Sequence, residues 1–203
     1  LSLLKNYFWR VLIVLSGIAL IAFGIALYVQ ADLGVDPWTI LTMGLSKTAG
    51  ITPGRASQTV GLLLIIFCWL VLNRKPGLAT LGNFFLVGLL LDCFLGILPE
   101  IAGRIHLQIL YIIFAIPAIG FGSAIYISGD LGEGPIELAM VGISDKLRIK
   151  PGLVRMILDV FVAILGYILG GPVGVGSVVG IVGVGPSVQL ALNIIHKRQK
   201  NKG

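Results

Sequence analysis

From Val11 to Gln30, twenty residues pass without one Asp, Glu, Lys or Arg. A run of that length and character spans the hydrocarbon of a bilayer. In lipid it must be a helix, because each backbone N–H and C=O has to find its partner without water. Comparable runs recur to the end of the chain. They explain why 57% of the 203 residues are hydrophobic, only 12% are charged and the mean hydropathy is +1.01. Soluble domains are nearer half apolar and a quarter charged. The surplus apolar side chain has to face lipid, and the length leaves room for roughly six to eight spans.

The run is too long for the apolar region of a signal peptide and lacks a cleavage site, so it reads as a first transmembrane helix, from about 8 to 30. Ala31-Asp32-Leu33-Gly34-Val35-Asp36 breaks it. A short helix is expected from Pro37 to Lys47, with Asp36 as its cap and Pro37 at its first position. A second span follows Pro53-Gly54, and a third runs from Pro76 to Ile97. After a polar link the pattern returns. A span over 107–128 meets the break Gly129-Asp130-Leu131-Gly132-Glu133-Gly134, then a short helix from Pro135 to Arg148. A span follows Pro151-Gly152, and a glycine-rich span covers 174–195 before a basic tail.

Shifting the sequence by 98 makes the return quantitative. Residues 24–54 then give twelve identities in 31 positions, among them Tyr28 with Tyr126, Asp32 with Asp130, Pro37 with Pro135, Ser46 with Ser144 and Pro53 with Pro151. After a one-residue slip, Gly77 meets Gly174, Gly88 meets Gly185 and Asp92 meets Gln189. The expected architecture is an all-α membrane protein of two tandem repeats, residues 1–98 and 99–203, packed as one transmembrane domain. Duplications of this kind are common in transporters, whose sites lie where the copies meet.

Repeat orientation turns on the short helices. Pro37 to Lys47 is about 16 Å of helix, half a bilayer. If the short helices do not cross, each copy has three spans, the copies are inverted, and Lys and Arg divide 12 to 3 in favour of the side with both termini. If they cross, each copy has four spans, the copies are parallel and the division is 13 to 2. Both place the termini in the cytoplasm by the positive-inside rule; length favours the inverted reading.

The string Ala31-Asp32-Leu33-Gly34-Val35-Asp36-Pro37-Trp38, its echo Gly129-Asp130-Leu131-Gly132-Glu133-Gly134-Pro135 and the glycine-rich last span resemble the YczE/YyaS/YitT family of bacterial membrane proteins over nearly the whole chain. The resemblance implies a bacterial cytoplasmic-membrane protein and brings no catalytic or binding residues with it.

Polar groups within spans mark pathways or sites. Asp32 and Asp130 each follow a tyrosine by four residues, Tyr28 and Tyr126, and Trp38 is near the first. A carboxylate beside aromatic rings suits a cation, while the same aspartates also suit helix caps or headgroup contacts. Thr39, Thr42 and Ser46 share a face of the first short helix, with Glu137 and Ser144 matching in the second; such a stripe lines water or ligand, or bonds to neighbouring helices. Asp92 and Asp159 are acids in apolar runs. Arg155, one turn before Asp159, is a ready ion-pair partner; Asp92 has no local basic partner. The glycines from Gly170 to Gly185 suit close helix packing or a broken helix.

Other chemistries find no residues. Cys68 and Cys93 have no metal-ligand spacing and read as small packed side chains. His106 and His196 sit at segment ends. There is no catalytic set, no cofactor motif and no basic groove interleaved with aromatics, so neither an enzyme nor a nucleic-acid binder is expected. The charge of +6 reads as topology signal and lipid contact. The expectation is a transporter of a small cationic or zwitterionic solute or ion, with proton coupling through Asp92 or Asp159 as an option and a homo-oligomer as another, and with Asp32, Asp130, Tyr28, Tyr126, Trp38, Thr39, Glu137 and Asp92 as candidate ligands. The alternative is a non-transporting membrane scaffold.

Overall fold

The computed structural model describes residues 2–132, 134–149 and 151–200. It is all-helical: α1 (Ser2–Ala31), α2 (Pro37–Ala49), α3 (Pro53–Leu72), α4 (Leu78–Ile97), α5 (Ile105–Ser128), α6 (Pro135–Leu147), α7 (Pro151–Ile168) and α8 (Val175–Lys200), with no strand among the described residues. Among the described residues five helices, α1, α3, α4, α5 and α8, are long and apolar enough to cross a membrane, and the part of α7 searched in the same way, Ile157–Ile168, is a shorter apolar stretch. Large apolar side chains stand exposed on the spans, such as Leu70 on α3, Phe114 on α5 and Val182 on α8.

The helix ends follow local chemistry. Asp36 caps α2, its side chain accepting from the N–H groups of Trp38 and Thr39, with Pro37 at the first position. Thr52 caps α3 in the same way, ahead of Pro53. Gly50, Asn73 and Arg148 close α2, α3 and α6 in the left-handed conformation.

At the centre α1 and α5 run antiparallel in close contact. Gly17 lies against the backbone of Gly122 and Tyr126, and Gly24 against Ala115 and Ile119. Ala22, Ala26, Ala115 and Ala124 are fully buried. Lipid supplies no hydrophobic drive between spans, so small residues that let backbones approach carry the association through dispersion. Polar contacts tie the two ends of the pair: Arg10 Nη1 lies 3.4 Å from Asp130 Oδ2 at one, and Gln108 Nε2 donates to the Ala31 carbonyl at 2.8 Å at the other. Outside this pair, α4 packs on α1 and α8 packs on α5.

Each short helix packs on a long helix distant in sequence. α2 lies on α7, where Gly44 meets the Gly166 carbonyl. α6 lies on α3, where Leu138 and Ala139 pack with Cys68, Lys146 Nζ donates to the Val71 carbonyl at 3.0 Å and Arg74 pairs with Asp145.

The two breaks are joints between helices. Asp32 and Asp130 both take φ 51°, a left-handed position that short polar side chains tolerate. The following carbonyls then accept from distant helix starts: Leu33 from Gly176 N at 2.6 Å, and Leu131 from Ala79 N at 3.2 Å. Each helix start carries its own hydroxyl cap, with Gly174 N donating to Ser177 Oγ at 3.3 Å and Gly77 N donating to Thr80 Oγ1 at 3.1 Å.

Candidate functional site

The helical starts of α2 and α6 open onto one cavity of about 500 Å³. Pro37 and Pro135 both line it, because each break turns the chain back so that the short helix begins inside the bundle. Helices α1, α3, α4, α5, α7 and α8 complete the wall. Most of the lining is apolar, with a small set of polar groups from separate elements, the usual make-up of a small-molecule site.

The polar set on α2 and α7 is tightly organised. Asp36 Oδ2 accepts from Trp38 N at 3.2 Å and Thr39 N at 3.3 Å, and Asp36 Oδ1 accepts from the Thr39 hydroxyl. The Trp38 indole Nε1 donates to Asp159 Oδ1 at 2.7 Å, linking the start of α2 to the middle of α7. Trp38, Thr39 and Thr42 are all buried. On the opposing side, Glu137 lies in the first turn of α6, where Gly134 replaces a capping side chain. Asn83 of α4, Ser57 of α3 and Ser123 of α5 also reach the cavity. Three of its lining residues are carboxylates, Asp36, Glu137 and Asp159, and no lysine or arginine is among the described lining residues.

Of the residues expected from sequence, the cavity gathers Trp38, Thr39 and Glu137, and adds Asp159. The others stand elsewhere. Asp32 is exposed. The Asp130 side chain is 82% exposed and faces Arg10. Tyr28 is fully buried, its hydroxyl donating to the Gly176 carbonyl at 2.8 Å, which reinforces the joint at the start of α8. Tyr126 is buried in a cluster with Val14, Ile18 and Ala79. Asp92 accepts from Thr52 Oγ1 at 2.5 Å and Gly54 N at 2.7 Å, so it serves the start of α3. Ser46 and Ser144 bond the carbonyls of Ile51 and Ile149, each at 2.6 Å, and close the turns after the short helices. The side chains of Arg155, the expected partner of Asp159, and of His196 lie outside the described residues.

Asn83, Ser57, Ser123 and the place of Asp36 in the cavity lining went unread in the sequence. Asn83 carried a signal, a lone amide in a long apolar run; Ser57 and Ser123 carried none that separates them from other small hydroxyls in spans. Among the described residues no group of three His, Cys, Asp or Glu side chains has the arrangement to hold a metal ion.

The sequence is 32% identical over 197 residues to an uncharacterized protein of Haemophilus influenzae, covering 96% of this chain and 88% of that one. It is 28% identical to the uncharacterized membrane protein YczE of Bacillus subtilis, covering 87% and 82% of the two chains. To the uncharacterized protein YyaS of the same organism it is 27% identical, covering 92% and 94%. No solved structure matches. The resemblance drawn from the two breaks thus stands for YczE and YyaS. A family profile described as a family of unknown function, DUF6198, matches residues 8–193, and the chain belongs to that family of helical membrane proteins.

Proposed function

We propose that this protein is a membrane transporter of a small cationic or zwitterionic solute, bound in the cavity where the starts of α2 and α6 meet. The observation that carries the reading is the composition of that cavity. Carboxylates from three elements, an indole, hydroxyls and an amide converge within otherwise apolar walls. Polar groups of this kind are costly inside a membrane and are retained where a solute or ion uses them.

The reading includes two inverted halves with the site between them. Cavity-lining residues recur in pairs. Pro37 and Pro135, Thr39 and Glu137, Thr42 and Met140 stand 98 apart; Phe84 and Ile181, Val87 and Val184, Leu91 and Val188 stand 97 apart. The two joints, Leu33 to Gly176 and Leu131 to Ala79, correspond under the same shifts. Inversion is supported by the contacts at the bundle ends. Arg10 at the start of α1 meets Asp130 beyond the end of α5, and Gln30 at the end of α1 donates to the Leu95 and Leu98 carbonyls at the end of α4. If the short helices crossed, both contacts would join opposite membrane faces. With three spans per half, each joins groups on one face.

Each short-helix start behaves as roughly half a positive charge and by itself would favour an anion. Asp36 and Glu137 each sit at one of those starts, and Asp159 adds a third acid held by Trp38. That set favours a solute bearing an ammonium group. We place the protein in the bacterial cytoplasmic membrane with both termini inside, its basic end on anionic lipid, and no bond is made or broken in its cycle.

A thermal-shift screen of the purified protein against amines, amino acids and inorganic cations tests the reading. Any compound that stabilises the protein is then loaded into proteoliposomes. The reading expects at least one stabilising cation or zwitterion, and its flux down a gradient above that of empty liposomes. A hit that binds without flux, or hits confined to anions, contradicts it; binding without flux favours a scaffold.

A further inference from the structure

α3 and α4 are drawn together along a closed seam. Gly54 and Gly88 pack backbone to backbone, Asp92 holds Thr52 and Gly54, and Gln58 Nε2 donates to the Phe85 carbonyl at 2.9 Å. Gly88 is buried, and Val87 and Leu91 are 7% and 2% exposed. The second half carries the same design at the 97-residue shift: Gly185 for Gly88, Gln189 for Asp92, Val184 for Val87 and Val188 for Leu91. Its seam is open. Gly185 and Gln189 are exposed, and Val184 and Val188 are only half-buried. Gln189 Nε2 donates to Asn193 Oδ1 at 3.0 Å on its own helix. A Cβ on Gly185 meets nothing within 4 Å among the described residues. Packing between α3 and α4 is extensive; among the described residues α7 and α8 have no comparable contact.

The helix on the open side is also the one built to bend. α8 contains Pro186 beside Gly183 and Gly185, whereas α4 has Leu89 at the matching position. Proline leaves the carbonyl one turn earlier without its helical donor and gives a helix a point of flexure.

We propose that the two seams exchange. In a second state α7 covers the exposed face of α8, Gly185 packs against the Pro151-Gly152 start of α7, and Gln189 accepts from that start as Asp92 does from α3, while the α3–α4 seam opens. The occupant of that face is α7 of the same chain, because α8 repeats the glycine and polar residue that hold α4, and α7 repeats the Pro-Gly start of α3. Resting on the transport reading, this exchange opens the cavity first toward the face that holds the termini and then toward the opposite one, the expected movement of inverted halves.

Cysteine pairs in the full chain test it, in a Cys68→Ala, Cys93→Ser background. Met156→Cys with Gly185→Cys takes the positions that match Gln58 and Gly88 of the closed seam in the sequence repeat. Gly61→Cys with Phe84→Cys is the reference, since a Cβ on Gly61 stands 3.3 Å from that of Phe84, near disulfide distance. After mild oxidation in proteoliposomes, linked peptides are counted by mass spectrometry. Both links are expected within single chains, and molecules carrying both at least tenfold rarer than independent formation gives. The exchange is overturned if the α7–α8 pair never links while the reference does, if it links only between two chains, or if both links accumulate together. Nitroxides at Ile157→Cys and Val182→Cys, two exposed positions, give a second readout: two distance populations are expected, and a single one overturns the exchange. A seam that never closes leaves solute binding and flux untouched. A seam that closes in a protein moving no solute defeats the transport reading alone.

Discussion

Asp32 and Asp130 show how one residue type reads differently in sequence and in space. Their repetition beside tyrosines pointed to a ligand site. In the structure both occupy left-handed backbone positions that turn the chain between helices, with side chains outside the cavity lining. Repetition had a backbone cause, since Asp, Asn and Gly are the residues that adopt positive φ at low cost. Nothing local in the sequence separates that cause from a binding role, because the groups completing each joint, Gly176 and Ala79, are distant along the chain. The backbone account predicts that Asp32→Gly leaves thermal stability in detergent unchanged or slightly raised. Asp32→Val, β-branched at φ 51°, is expected to cost about 1–2 kcal/mol. Equal loss from both substitutions, measured by thermal unfolding, would mean that the carboxylate itself holds the joint.

At the scale of elements most of the fold was legible. Asp36-Pro37 announces the start of α2 and Pro53-Gly54 that of α3, because caps and first-position prolines act within a turn of the residues that supply them; α2 runs on to Ala49, past the expected Lys47, and stops where Gly50 takes the left-handed conformation. Partners were not legible. The packing of α2 on α7, and of α6 on α3, depends on Gly44 fitting Gly166 and on Leu138 and Ala139 fitting Cys68, matches that neither helix signals alone. Asp92 is the clearest example. As an acid in an apolar run it looked like a proton or solute ligand, yet its oxygens accept from Thr52 and Gly54 and fasten α4 to the start of α3. Asp92→Ala is expected to destabilise the protein by about 1 kcal/mol, the usual loss of an N-terminal cap. Gln189→Ala, at the matching but exposed position on α8, is expected to change unfolding by less than half as much. The two variants compared in one thermal-unfolding series check this, and equal effects would contradict it.

For the whole molecule, the question the sequence left open was whether the halves run parallel or inverted. Charge counts of 12 to 3 and 13 to 2 do not discriminate, because both topologies satisfy the positive-inside rule. Tertiary contacts support the proposed inversion, since crossing short helices would put Arg74 and Asp145, and likewise Gln30 and Leu98, on opposite membrane faces. In a background without Cys68 and Cys93, Lys75→Cys in intact cells is expected to resist a membrane-impermeant maleimide, and Glu100→Cys to react with it. The reverse pattern would favour four spans per half.

The central claim is that solute binds at the cavity between the halves. The most direct measurement compares Glu137→Gln and Asp159→Asn with Asp32→Asn and Asp130→Asn in the thermal shift given by one stabilising solute. The account predicts that the shift falls at least tenfold in apparent affinity for the first two and is unchanged for the second two. A shift kept in Glu137→Gln and Asp159→Asn, but lost in Asp32→Asn and Asp130→Asn, would return the site to the breaks and contradict it.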